Sequence, residues 1–167
     1  MSLDERKWKR YDELFPEASL CISQSNSMIN SLPCYEYLYK LKPNIPTELF
    51  AYYFRNLLQM NTGNVSPELR LKMFEGLNPQ DLMYQDELDA IENEFDDIVI
   101  AYRGTTPEED TPGISWTIYK WVAEGTFDRG RLFKARIPKK DILIYLCHNE
   151  DEGEIVANVL SDYEIIK

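Results

Sequence analysis

The spacing of apolar residues changes character near residue 95. Before it, apolar positions recur every three or four residues; after it, they alternate with polar ones. Leu49, Phe50, Tyr53, Leu57 and Leu58 repeat at helical intervals, which predicts an amphipathic helix over 46–60. Pro46 with Thr47-Glu48 marks its start, because the fixed φ of proline suits a first turn and an acid there complements the helix dipole. Thr62-Gly63-Asn64 ends it. Ser66-Pro67-Glu68 opens a second helix, running to about Glu75-Gly76, with a hydroxyl cap before the proline. Asn78-Pro79 opens a third, with Leu82, Met83, Leu88 and Ile91 as its apolar face. Residues 4–15 read as a further short helix, and the Ser- and Asn-rich 19–32 as loop. Tyr35-Glu36-Tyr37-Leu38-Tyr39 fits both patterns: its aromatics alternate as in a strand, but its surroundings are helical.

Beyond residue 95 the period of two predicts strands at 97–103, 113–117, 130–137, 141–146 and 153–159, with a last one at 162–166. One helix interrupts them at roughly 118–125, around Trp121, Val122 and Ala123. Gly130, Pro138 and Gly153 fall at the joints. The expected fold is α+β: a helical N-terminal region, 1–95, then a mostly antiparallel sheet in a β-rich core, 96–167, the two forming one unit.

Composition narrows the function. The chain has 167 residues, and 44% hydrophobic content with 11 tyrosines supplies a core. A net charge of −11 argues against nucleic acid and against anionic membranes as partners, since both demand a basic face. No apolar run approaches the ~20 residues that span a bilayer. The charged start, MSLDERKWKR, has no apolar signal region. Cys21, Cys34 and Cys147 lie far apart without a CxxC, which suits reduced thiols in a cytoplasm. His148 beside Cys147 does not make a local zinc site. Gly-rich phosphate loops, GxSxG and HExxH are absent.

The remaining chemistry lies near strand ends. Alternation sets Arg103 on the side of Val99 and Ala101, Ser115 and Thr117 on one side of their strand with Ile114 and Trp116 opposite, and Glu152 with Glu154 and Val156. An arginine, a pair of hydroxyls and a pair of carboxylates thus come from three strands. Taken singly, each is ordinary: a surface arginine, a solvated strand face, an acidic turn.

Their order and placement resemble the R-S-E class of mono-ADP-ribosyltransferases, which includes arginine-modifying and C3-like toxins and relatives in bacteria and phages. Tyr102-Arg103-Gly104, Gly113-Ile114-Ser115-Trp116-Thr117, Ala123 with Phe127, and Glu152-Gly153-Glu154-Ile155-Val156 carry the resemblance. It spans about residues 97–160 and leaves the N-terminal ninety aside. Trp116 stands where the family's Ser-Thr-Ser has its middle residue. The resemblance implies NAD as substrate. Arg103, with Gly104, would hold the pyrophosphate through a permanently charged fork. Ser115 and Thr117 would hold the Glu154 carboxylate and the nicotinamide-side ribose, and Trp116, Tyr119 and Tyr102 would wall the nicotinamide pocket. Glu154 would stabilise the oxocarbenium-like transition state, and Glu152 would orient or deprotonate a protein acceptor, arginine being favoured for a glutamate there. His148 and Asn149 lie in the preceding loop. Two other readings stand beside this one: a degenerate transferase fold serving as a bacterial or phage interaction module, and an unrelated α+β protein or hydrolase with coincident spacing.

Overall fold

In the computed structural model, residues 13, 16, 17, 31–59, 65–126, 130–147 and 152–167 are described. The stop at Thr62-Gly63-Asn64, Phe127 and His148-Asn149 lie outside these residues, as do most of the expected helix over 4–15 and all of the expected loop over 19–32 but Ser31 and Leu32, of which Leu32 begins a helix instead. The chain forms two units, Met1–Leu82 and Met83–Lys167.

The first unit is helical. Helix α1, Leu32–Leu41, takes up the ambiguous tyrosines; helical spacing won because Cys34, Tyr35 and Leu38 are the residues it buries. A short 3₁₀ turn, Lys42–Asn44, leads to α2, Thr47–Leu58. Its buried face holds Leu49, Phe50, Tyr53, Phe54, Leu57 and Leu58. Each such side chain contributes about 1.5–3 kcal/mol when fully buried. Phe54 is the hub, with ring centroids 4.7 Å from Phe74, 5.9 Å from Phe50 and 6.3 Å from Tyr35. Helix α3, Pro67–Phe74, begins as expected: the Ser66 hydroxyl accepts from the Leu69 N–H at 3.2 Å. A one-turn helix α4, Pro79–Leu82, ends this unit, and the buried Arg55 guanidinium donates to its Leu82 carbonyl at 2.6 Å. Cys34 is disulfide-bonded. That differs from the expectation of reduced thiols throughout, which rested on cysteine spacing alone.

The single helix expected from Asn78 is two. Helix α5, Gln85–Asn93, restarts after Tyr84 because the buried Glu87 carboxylate reaches back to accept from the Tyr84 N–H at 2.9 Å. It belongs to the second unit and packs on that unit's sheet.

The sheet has six strands: β1, Ile98–Thr105; β2, Ser115–Thr117; β3, Arg131–Pro138; β4, Ile142–Leu146; β5, Glu154–Ala157; β6, Tyr163–Ile165. Their order is β4-β5-β2-β1-β3-β6, and every pairing is antiparallel. Helix α6, Lys120–Thr126, follows β2 and packs on β1 and β2. The fold is α+β, with helices preceding an antiparallel sheet. Ala101, Trp116, Phe133, Ala135 and Ile155 form the buried core of the sheet. This order makes β1, β2 and β5 immediate neighbours, although β5 lies far from them in sequence.

Candidate active site

Three residues of three strands stand in one row. Tyr102 of β1 is opposite Thr117 of β2, and Thr117 is opposite Glu154 of β5. Residues directly opposite in an antiparallel pair project to the same face, so a phenol, a hydroxyl and a carboxylate cross the sheet together. Ser115, two positions from Thr117, lies on that face as well. By strand alternation Arg103 projects with the other set, beside Trp116, so Tyr102 rather than Arg103 heads the row.

Arg103 nevertheless reaches the site. Strand β1 pairs with β3 along all eight residues but with β2 only at Tyr102. Where that ladder lapses, the Arg103 Nη1 donates to the Ser115 carbonyl at 2.9 Å. The guanidinium passes Gly113, whose φ of +70° places a built Cβ 3.7–3.8 Å from Nη2, Cζ and Nε. Arg103, two residues before the end of a half-buried β1, therefore ties β1 to the start of β2. Together Tyr102, Arg103 and Gly104 of β1, Ser115, Trp116 and Thr117 of β2, Val122 and Ala123 of α6, and Glu152 and Glu154 line one cleft of about 160 Å³. All seven residues expected to form the site meet there, with Tyr102.

No family model, no curated protein and no solved structure matches this chain.

The turn carrying the carboxylates is fixed by its glycine. Gly153 is buried at φ +54°, and a Cβ there would stand 2.7 Å from Ile118 Cγ1 and from Tyr119 Cε2. Only a residue without a side chain fits. Its carbonyl accepts from the Ile118 N–H at 3.1 Å. The Thr117 hydroxyl donates to the Glu152 carbonyl at 2.5 Å and accepts from the Tyr119 N–H at 3.0 Å. A hydroxyl has one proton, so Thr117 does not donate to the Glu154 carboxylate. It pins the glutamate turn to β2 and to the entrance of α6, and its role is positioning.

Burial separates the two carboxylates. Glu152 is exposed and Glu154 half-buried, which suits one for meeting an incoming molecule and the other for acting inside the cleft. Trp116 is only 2% exposed, and among the described residues its indole Nε1 has no hydrogen-bond partner; it lines the cleft from the core side. Tyr119 lies at the margin, 39% exposed, its ring stacked on Trp121. Sequence reasoning had no signal for Val122, which enters the lining because α6 folds back across β1 and β2, nor for Gly153 beyond its place at a joint.

Proposed function

We propose that this chain is an R-S-E-type mono-ADP-ribosyltransferase, which cleaves the nicotinamide–ribose bond of NAD and transfers ADP-ribose to a protein side chain, arginine being favoured. The observation that carries the reading is the convergence of Arg103, Ser115, Glu152 and Glu154 on one cleft from three adjacent strands and the turn before β5.

Bond cleavage leaves positive charge on the ribose, and nicotinamide departs with the bonding electron pair. A carboxylate at Glu154 that accepts from the ribose 2′-hydroxyl stabilises that charge, and such groups contribute on the order of 100- to 1000-fold in rate. The acceptor nitrogen then bonds to the ribose carbon, and its proton passes to Glu152, the exposed carboxylate. Arg103 offers donors that cannot titrate away for the pyrophosphate. At about 160 Å³ the cleft is smaller than the roughly 300–1,000 Å³ that encloses a whole ligand, so it takes the nicotinamide–ribose end, with the pyrophosphate at its rim beside Arg103 and the adenosine outside.

The test is nicotinamide release from NAD by the purified protein, with and without the arginine analogue agmatine. Release, with ADP-ribosyl-agmatine formed when agmatine is present, supports the reading. Saturable NAD binding without turnover supports the interaction-module alternative, and the absence of both contradicts the reading.

A further inference from the structure

Beside the two glutamates lies an aromatic surface that the cleft does not use. Trp121 is 64% exposed and Tyr119 39%. Their rings stack with centroids 6.1 Å apart and planes 27° from parallel, so Tyr119 supports the exposed Trp121 indole as an aromatic ledge. An indole left in water forgoes a large burial free energy, and its neighbour Ala123, on the same helix, is the residue buried instead. The ledge is locked to the glutamate turn at two points. The Tyr119 ring fills the space a Cβ on Gly153 would need, 2.7 Å away. The Thr117 hydroxyl bonds both the Tyr119 N–H and the Glu152 carbonyl. The ledge and the backbone that carries Glu152 therefore keep a fixed relation.

We propose that the Tyr119–Trp121 ledge is the acceptor subsite, receiving the planar guanidinium of an arginine side chain on its faces while Glu152 pairs with it at the edge. The proposal rests on the transferase reading of the cleft. A guanidinium stacks on an aromatic face and still offers in-plane N–H groups to a carboxylate, which an ammonium does not. Glu152 is exposed, and its backbone is joined to Tyr119 through the Thr117 hydroxyl. The nearest cation on the helix, Lys120, is held by Glu124 at 3.2 Å, so its charge is locally balanced. The net charge of −11 draws cationic acceptors toward the protein.

Two measurements on the intact protein test it. In the first, agmatine and 1,5-diaminopentane are titrated calorimetrically into wild type and Trp121→Ala without NAD. Agmatine is expected to bind wild type about two- to fivefold more tightly than the variant, the ratio that an exposed cation–π contact confers, and the diamine is expected to show a smaller difference. Equal agmatine affinity for the two proteins overturns the subsite, whatever the protein does with NAD. In the second, Trp121→Ala is expected to lower transfer to agmatine relative to NAD hydrolysis by about the same factor, and Trp121→Phe to restore most of it. An equal loss in hydrolysis and transfer, through a raised KM for NAD, assigns the ledge to the dinucleotide and overturns the proposal. If neither reaction occurs, the transferase reading fails, and the titration still decides whether the ledge binds guanidinium groups.

Discussion

At the scale of single residues, the site depends on groups that do no chemistry. Thr117 joins the Glu152 carbonyl to the Tyr119 N–H through one oxygen. Thr117→Val keeps the shape and removes that oxygen, leaving a donor and an acceptor without their shared partner. The expected cost is about 1–3 kcal/mol in denaturant unfolding, with a larger proportional loss in transfer to agmatine than in NAD hydrolysis; Thr117→Ser should recover both. Replacement of Gly153 strains the turn. Gly153→Ala adds a methyl group to a backbone at φ +54° and drives it into Ile118 and Tyr119. Strain of this kind costs on the order of 1–3 kcal/mol, and thermal unfolding should show the loss. A variant as stable as wild type would mean that the turn relaxes freely and that the carboxylates are not held by it.

At the scale of elements, the sequence carried most of what repeats and little of what closes over distance. Helix α2 was legible from Leu49 to Leu58 because its apolar stripe is regular, and α3 from its Ser66-Pro67 start. All six strands lie within their expected ranges or within two residues of them. The break between α4 and α5 was not legible, because Glu87 acts through its side chain on the Tyr84 N–H and leaves the apolar spacing undisturbed. The motif residues of the site were readable, but their meeting depends on strand order: β5 lies beside β2 only because the chain returns to the middle of the sheet. Arg103 was expected in the site and lines it, but its route there was not legible. Alternation assigns it to the core side, and only the lapse of the β1–β2 ladder lets it join the Thr117–Glu154 cleft.

Strand β4 also gives the sheet a pH limit. Burial, with smaller contributions from Cys147, Tyr119, Glu94 and Glu87, pushes the Tyr145 phenol up to about 12 from its usual 10.0. The folded state therefore holds that proton more tightly than the unfolded chain. The contribution to stability is complete below about pH 10 and is lost as pH rises toward about 12. Chemical denaturation across that window should show wild type losing more stability than Tyr145→Phe, which has no phenol to ionise. Parallel losses would mean that Tyr145 ionises as freely in the fold as outside it.

At the scale of the whole molecule, the proposed function sets NAD and a cationic acceptor against the charge of the protein. NAD carries phosphates, and the protein carries a net charge of −11. Screening over about 10 Å at moderate salt weakens that repulsion, so the KM for NAD should fall between low and physiological ionic strength, while the KM for cationic agmatine should rise. Movement of both in the same direction would place the two substrates in one electrostatic environment, against the separation of cleft and ledge. Among the described residues no helix is long and apolar enough to cross a membrane, and Cys34 is disulfide-bonded. The central claim concerns one carboxylate, Glu154, aligned with Thr117 and Tyr102 across three strands. The most direct measurement is nicotinamide release from NAD by wild type and by Glu154→Gln, each at saturating NAD. The expected result is release by wild type and a rate lower by on the order of 100- to 1000-fold in the variant, with NAD still bound. Release by Glu154→Gln at the wild-type rate, or none by wild type, would contradict it.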